Sequence, residues 1–237
     1  MQAYKNAVHL QPELPALIFD TELRGNLVSC CDRDFRHFFI FCSDPLPPEA
    51  KIRSLFGEAF NNDDRIGNLK LKIFDNLGSH FPQFEPGFRS HYLVGFNSLC
   101  PDCDDDWLKE RGIRIQTTYD LLYEIRLALG MPPVYRESTK DKIKWGYSLE
   151  RMSRSNFGLG KCDLPYQSVR QTWLAGDRIS VIRYALRDVY LTLKLWENRD
   201  RLIDPNTGKP FACRPLRNAI ALSAELVWLT QFRGRSS

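Results

Sequence analysis

The chain has 237 residues, of which 43% are hydrophobic and 26% are charged, a composition that excludes intrinsic disorder and is typical of one globular domain. Its 33 lysines and arginines against 29 acids give a formal charge of +4, which permits a nucleic-acid partner without requiring one. No apolar run approaches the ~18–20 residues that a membrane span needs, and the polar N-terminus predicts no signal peptide. Seven scattered cysteines favour reduced thiols, so we expect a cytoplasmic, intracellular protein with no membrane partner.

The pattern of apolar residues predicts strands in the first half of the chain and mainly helices in the second. Strands are predicted at residues 14–22, 26–31, 36–42 and 92–96. Helices are predicted at residues 49–60, 69–77, 107–111, 119–129, 148–156, 167–174 and 178–196. Ser148 and Asp177 are the expected N-caps of two of these helices, residues 204–208 form a turn, and residues 218–232 fit no single element. Strands followed by alternating strands and helices predict an α/β fold with a mixed sheet.

Two acids end the first predicted strand. Residues two apart in a strand point to the same face, so Asp20 and Glu22 are expected to project together. Adjacent carboxylates repel each other unless a cation lies between them, and hard oxygen ligands suit magnesium or manganese. The alternative is that Glu22 belongs to a solvated turn before Gly25.

A third acid lies in the most apolar predicted helix. Asp188 is surrounded by hydrophobic residues, and an ionised carboxylate in such a helix is costly unless it is paired or bound to a metal. Tyr184 lies one turn earlier and therefore on the same face. The alternative is a salt bridge from Asp188 to Arg187 or another arginine, with Tyr184 packed in the core.

A cluster of aspartates follows the predicted strand 92–96, where a helix begins. Ligands commonly bind at such strand-to-helix junctions in α/β sheets. The acids could also serve only to complement the positive end of the helix dipole. The cluster consists of Asp102, Asp104, Asp105 and Asp106.

Together these three clusters resemble the motifs of the DEDD exonuclease superfamily, in its tyrosine (DEDDy) form. Phe19-Asp20-Thr21-Glu22 is similar to the first motif, Gly95-Phe96-Asn97 with a downstream aspartate to the second, and Tyr184-Ala-Leu-Arg-Asp188 to the third. The resemblance spans about residues 14–200. It implies a ribonuclease-H-like fold with a mixed five-stranded sheet flanked by helices, preceded by an arm over 1–13 and followed by an extension over 201–237 that packs on the same domain.

The resemblance further implies a 3′–5′ exonuclease that uses two divalent ions, Mg²⁺ or Mn²⁺, to release nucleoside 5′-monophosphates from the 3′ end of DNA or RNA, with single strands as the expected partner. The implied metal ligands are Asp20, Glu22, Asp188 and either Asp102 or Asp104. Tyr184 would orient the attacking water. The implied substrate-binding residues are Thr21, Leu23, Phe96 and Asn97. A basic stretch that could follow a phosphate backbone, or form a solvated face, consists of Lys140, Lys142, Lys144, Arg151, Arg154 and Lys161.

The second motif leaves its aspartate open, because counting forward from Asn97 favours Asp102 and the helix-start pattern favours Asp104. Because of this ambiguity a second hypothesis stays open, in which the chain is an exonuclease-fold module with weak or no catalytic activity that binds nucleic acid or a protein. A redox pair at Cys100 and Cys103 is disfavoured, because the acids that follow oppose a thiolate. A zinc site would need two more ligands, which Cys30 and Cys31 could supply, but the sequence has no second Cys-x-x-Cys pair.

Overall fold

The computed structural model of the protein describes residues 15–99, 103–113, 117–131 and 146–215. The strands are β1 (Ala16–Glu22), β2 (Leu27–Asp32), β3 (His37–Cys42), β4 (Lys70–Phe74), β5 (Tyr92–Gly95), β6 (Tyr119–Asp120), β7 (Leu202–Ile203) and β8 (Pro210–Phe211). The α-helices are α1 (Glu49–Arg53), α2 (Phe56–Ala59), α3 (Glu85–Arg89), α4 (Asp104–Glu110), α5 (Leu121–Ala128), α6 (Leu149–Phe157), α7 (Val169–Leu174) and α8 (Arg178–Glu197). Segments Asp64–Asn68, Gly78–Phe84 and Tyr166–Ser168 are 3₁₀ helices.

Six of these strands form one mixed sheet in the order β4-β3-β2-β1-β5-β6. The pairs β1–β2 and β2–β3 are antiparallel, whereas β3–β4, β1–β5 and β5–β6 are parallel. On its β5 side, β1 is paired only as far as Ile18, opposite Val94. The last four residues of β1 therefore extend beyond β5, and their β5-side edge is open to groups from another segment.

The alternation of β1 assigns its side chains to two separate apolar layers. Leu17 and Phe19 join a layer of aromatic residues that includes Phe41 and Phe88. Ala16 and Ile18 face the opposite way, into the larger core formed mainly with α8. Asp20 and Glu22 continue the second series, so the β1 acids lie on the side of the sheet that α8 covers.

Helix α8 is the longest helix of the described chain and is buried on most sides. It begins after Asp177, whose carboxylate accepts the backbone N–H of Ser180 at 3.1 Å, a standard N-cap that confirms the predicted start. The helix packs on β1 and β2. Its apolar surface therefore brings Asp188, in the middle of the helix, to the sheet face that carries the β1 acids.

The sequence predicted most of these elements correctly, including the first three strands and the Ser148 cap of α6. The predicted helix near 69–77 is wrong, because residues 70–74 form the edge strand β4. The run Lys70-Leu-Lys-Ile-Phe alternates polar and apolar residues as a strand does, and its exposed lysines protect the sheet edge from further pairing. The predicted number of five strands is also wrong, since the described residues form a six-stranded sheet.

The described part of the C-terminal extension contacts the main domain. Strands β7 and β8 form a hairpin around the predicted 204–208 turn. The Arg214 guanidinium donates to both carboxylate oxygens of Glu124, at 2.8 and 2.6 Å, and the Tyr147 hydroxyl donates to Asp204 at 3.0 Å. The predicted arm over 1–13 and the unassigned 218–232 segment lie outside the described residues.

Candidate metal centre

The three acids that the sequence singled out in β1 and α8 meet in space. One carboxylate oxygen from each of Asp20, Glu22 and Asp188 lies within 4.8 Å of the other two. The strand period places the first two on one face, and the packing of α8 on that face brings in the third. The expectation that Asp20 and Glu22 project together is confirmed, and Glu22 is only 4% exposed, which contradicts a solvated turn.

Because the carboxylates of this cluster are buried, their ionised forms are poorly stabilised. Burial raises the pKa of Asp20 above its ordinary range, and the charges of Asp104 and Glu22 raise it further. Burial also raises the pKa of Glu22, with Asp188 as the next cause. The Oδ2 atom of Asp20 and the Oδ1 atom of Asp188 are buried and have no hydrogen-bond partner. Unpartnered buried carboxylate oxygens that converge from different segments fit a hard divalent cation, which supplies the missing interaction.

Asp104 lies beside this cluster, held by the end of β1. Its carboxylate accepts the Thr21 hydroxyl at 2.5 Å and the Ser98 hydroxyl at 2.9 Å. Burial raises the pKa of Asp104 to about 6, although these two hydroxyls lower it. After burial, its charge is the next cause that raises the pKa of Asp20. Asp104 thus lies next to β1 but is not one of the three converging acids, and Asp102 lies outside the described residues, so the choice between the two aspartates stays open.

The conformation of the loop between β5 and α4 places Asp104 next to β1. A Cβ atom at Gly95 would lie 1.9 Å from the Ser98 hydroxyl oxygen, so a side chain there would displace Ser98 from Asp104. Asp120 is 4% exposed and accepts the backbone N–H groups of Asn97 and Leu99, both at 3.0 Å. These bonds fix the loop across the edge of the sheet and make Asp120 a structural support for the site.

The other aspartates of the second-motif cluster have different surroundings. Asp105 turns away to Thr117, whose hydroxyl and backbone N–H donate to it at 2.5 and 2.8 Å. Burial raises the pKa of Asp105 to about 7. Asp106 is exposed on the first turn of α4. The helix-dipole interpretation therefore suits Asp106, whereas Asp104 and Asp105 are engaged by hydroxyl groups of other segments.

Tyr184 and Lys161 complete the surroundings of Asp188. The Lys161 ammonium donates to the Tyr184 hydroxyl at 3.0 Å and also to Asp188 Oδ2. Burial by itself lowers the pKa of Lys161, but Asp188 and Tyr184 together outweigh this effect, and the pKa ends above its ordinary value. Burial and then Asp188 raise the pKa of Tyr184. The alternative pairing of Asp188 with Arg187 is wrong in its partner, because Arg187 donates to the carbonyl groups of Gly160 and Ala59.

The four residues predicted to contact substrate have different surroundings. Thr21 is buried, and its hydroxyl is engaged with Asp104. Leu23 and Phe96 are partly buried and pack against the core. Asn97 has a left-handed backbone (φ +65°). Their contact with a substrate stays a prediction.

Sequence reasoning missed the roles of Lys161 and Asp120. Lys161 was assigned to a basic stretch, yet its ammonium lies among the acids. No local sequence pattern identifies the role of Lys161, because its partners Tyr184 and Asp188 lie on α8. Asp120 had a local signal, since an aspartate before an apolar helical run is a typical N-cap, and its carboxylate does accept the Tyr123 N–H at 3.2 Å. Of the remaining basic stretch, Arg151 and Arg154 are exposed, and Lys140, Lys142 and Lys144 lie outside the described residues.

The thiol alternatives receive no support from the described residues. Cys103 forms no disulfide with a described residue, and the other cysteine of its sequence pair, Cys100, lies outside the described ranges. Cys30 and Cys31 are buried, and burial raises the pKa of both thiols, which opposes metal-binding thiolates. The group of potential metal ligands found in the described chain consists of carboxylates.

Comparison with known proteins leaves the site to be interpreted from its own chemistry. No protein-family model matches the chain, and no curated protein sequence shows significant similarity to it. Among the described helices, none has the combination of length and apolarity that crossing a membrane requires.

Proposed function

We propose that this chain is a metal-dependent 3′–5′ exonuclease with a ribonuclease-H-like fold, acting on the 3′ end of DNA or RNA. The observation that carries the proposal is the meeting of Asp20, Glu22 and Asp188, remote in sequence, with oxygens within 4.8 Å of one another. Two of those carboxylates each keep a buried oxygen without a partner. Such an arrangement is costly for folding alone, which supports a functional reason for it.

The charges at the centre support a role for a cation. Three carboxylates face one ammonium group, that of Lys161, so two negative charges remain uncompensated when all three acids are ionised. Asp104 adds a further acid beside them. Oxygen-only ligands favour Mg²⁺ or Mn²⁺ over softer metals. Asp20, Glu22 and Asp188 would hold one ion, and Asp104, beside Asp20, would contribute to a second.

A bound divalent ion would supply a more acidic water and would neutralise charge on the phosphate. The protein itself would position the reactants. The Tyr184 hydroxyl accepts from Lys161, and its own proton can be donated to Asp188 or to a bound water. Because burial raises the pKa of this phenol, it stays protonated at neutral pH and can orient a water molecule without acting as its base. Lys161 would hold Asp188 in place before substrate arrives.

The direct test is degradation of 3′-labelled and 5′-labelled single strands of DNA and RNA with Mg²⁺ or Mn²⁺. We expect stepwise loss from the 3′ end with nucleoside 5′-monophosphates as products. Asp20→Ala and Asp104→Asn should each abolish it. Asp106→Asn is the matched control, because it removes one acid from the same helical turn as Asp104 without touching the cluster. Full activity of Asp20→Ala would contradict the assignment.

Lys161 also favours a second candidate function, a binding module built on the same fold. An ammonium that already contacts Asp188 and Tyr184 could replace a metal ion in a centre that no longer binds one. Calorimetric titration with Mn²⁺ separates the two functions. Tight binding that is lost in Asp20→Asn supports the exonuclease, and nucleic-acid binding without any metal binding supports the module.

A further inference from the structure

The turn that joins β1 to β2 continues directly from the strand that carries two of the acids. It comprises residues 23–26. Leu23, Arg24 and Gly25 all have left-handed backbones, with φ of +57°, +54° and +74°. This conformation is easy for glycine but costs energy for a leucine or an arginine, and it persists only where the surrounding structure holds it. The strain favours a role for the side chains that this turn presents.

The end of α4 packs against this turn. Arg111 directly follows α4, and its Nε atom donates to the Arg24 carbonyl at 3.3 Å. A Cβ atom on Gly25 would lie 3.1 Å from the Trp107 carbonyl oxygen and 3.5 Å from the Cγ atom of Arg111, so the turn and the helix end are in close contact. These contacts bring the side chain of Arg111 to the turn that presents Arg24.

Neither of these arginines pairs with an acid in the part of the chain that the structure describes. Arg24 is exposed, and Arg111 is partly exposed with its Nε atom on a carbonyl group. Leu23 packs against the core. Arg24 follows Glu22 by two residues, so their Cα atoms are at most about 7.6 Å apart. The turn therefore presents two positive charges next to the acid centre.

A nucleic-acid strand needs positive charge near this centre, because carboxylates repel phosphates until cations compensate them. Lys161 supplies one positive charge, but its ammonium already contacts Asp188 and Tyr184. Guanidinium groups suit phosphates well, since one guanidinium can donate two parallel hydrogen bonds to a single phosphate. Arg24 and Arg111 offer this chemistry at the end of β1.

We propose that Arg24 and Arg111 form a phosphate-binding pair, which holds the backbone of a single-stranded nucleic acid whose 3′ end lies at the acid centre. This inference rests on the proposed function, because it takes the acid centre to be the site of phosphodiester cleavage. It assigns the β1–β2 turn as the place where the strand approaches the centre. The phosphates engaged there are those just before the scissile linkage.

The test compares two 5′-labelled single-stranded oligonucleotides that share a hydrolysis-resistant last linkage. In one, the linkages just before it are ordinary phosphodiesters, and in the other they are uncharged methylphosphonates. Binding is measured by fluorescence anisotropy with Mg²⁺ for the unsubstituted chain, Arg24→Gln, Arg111→Gln and the double variant. Glutamine removes the charge but keeps an N–H donor, so Arg111→Gln can retain the bond to the Arg24 carbonyl.

We expect each single substitution to weaken binding of the charged oligonucleotide by roughly 2- to 5-fold, which is the upper part of the range for one exposed ion pair. The double variant should bind it roughly 4- to 25-fold more weakly, if the two contacts add. The uncharged oligonucleotide should bind the unsubstituted chain more weakly than the charged one does. The substitutions should not weaken its binding further.

Arg36→Gln is the matched control. Arg36 is also exposed, pairs with no acid in the described ranges, and lies in the turn at the opposite end of β2, so its substitution should leave both affinities unchanged. Thermal unfolding reports whether each variant is folded. Arg24→Gln changes an exposed side chain, so it tests the inference by itself if Arg111→Gln unfolds.

Equal binding of both oligonucleotides by the unsubstituted chain overturns the inference, as does unchanged affinity of the folded variants for the charged one. Absence of binding to either oligonucleotide also overturns it. Because binding is measured without cleavage, the inference and the proposed function can fail separately. A chain that does not cleave 3′ ends but shows the arginine-dependent preference supports the phosphate-binding pair and contradicts the exonuclease. Cleavage of 3′ ends with affinities that both substitutions leave unchanged does the reverse.

Discussion

Asp120 lies close to the acid centre formed by Asp20, Glu22 and Asp188. The two differ in whether their buried carboxylate oxygens accept hydrogen bonds. Asp120 accepts backbone N–H groups from Asn97, Leu99 and Tyr123, at 3.0 to 3.2 Å. In the acid centre, by contrast, Asp20 and Asp188 each retain one buried oxygen with no hydrogen-bond partner.

The difference teaches how to separate a structural acid from a functional one. Burial raises the pKa of both Asp120 and Asp20, so burial does not distinguish them. For Asp120, backbone N–H groups partly offset that effect, whereas for Asp20 the neighbouring acids add to it. Removing a satisfied acid should cost stability, and removing an unsatisfied one should cost activity while leaving stability unchanged or improved.

The largest expected effect is on activity. Asp20→Asn should reduce exonuclease activity by at least about 10³-fold, on the order of 4 kcal/mol, because it removes an anionic ligand from the centre. Its melting temperature should not fall, since the substitution relieves repulsion among buried acids. Activity is measured on 3′-labelled strands and stability by thermal unfolding without metal. An Asp20→Asn variant that is destabilised but still active would contradict the distinction between a structural Asp120 and a functional Asp20.

Asp120→Ala should give the opposite pattern. It leaves the buried N–H groups of Asn97 and Leu99 without acceptors, so the free energy of unfolding should fall by about 3 kcal/mol. Urea denaturation measures this change, with Asp106→Ala as the control for loss of an exposed aspartate. Unchanged stability would show that water replaces the carboxylate, and Asp120 could then no longer serve as the structural reference.

The stability of the protein should depend on both metal and pH through the acids of the centre. The pKa values of Asp20 and Glu22 are raised by burial, and that of Asp104 is raised to about 6, so the folded state binds their protons more tightly than the unfolded state does. Without metal, these acids therefore make the protein less stable as pH rises above about 4, and the contribution of Asp104 falls between about 4 and about 6.

Addition of Mn²⁺ should reverse that trend. At 100 times its dissociation constant, an ion that binds only the folded state stabilises it by about 2.7 kcal/mol. Since protons compete for the same oxygens, the rise in melting temperature should be larger at pH 7.5 than at pH 5. Asp20→Asn should show little rise at either pH. An equal rise at both pH values would contradict the involvement of these carboxylates.

The smallest expected effect concerns Lys161. Its ammonium contacts Asp188, so it competes with a cation for that carboxylate. Lys161→Met should tighten Mn²⁺ binding by roughly 10-fold, about 1.4 kcal/mol, through removal of this competing charge. Lys161→Arg, which retains the charge, is the control. Calorimetry measures both affinities, and weaker Mn²⁺ binding by Lys161→Met would mean that Lys161 supports the metal site.

Much of the fold and part of the centre could be predicted from local patterns. Period-two alternation identified β1 and put Asp20 and Glu22 on one face, and helical spacing put Tyr184 and Asp188 on one side of α8. The residues of β4 show the same alternation, although a helix is predicted there from the sequence. That error shows that short apolar runs interrupted by lysines are ambiguous until their sheet partner is known.

The sequence by itself determined which side chains each strand and helix presents together, because side-chain direction follows from the local backbone period. Only the tertiary structure decided which of these faces meet. The packing of α8 on β1 joined Asp188 to Asp20, the open edge of β1 received Asp104 through Thr21, and the segment that joins α6 to α7 carried Lys161 to the acids. Such contacts depend on long-range packing and on loop paths, which no local pattern encodes.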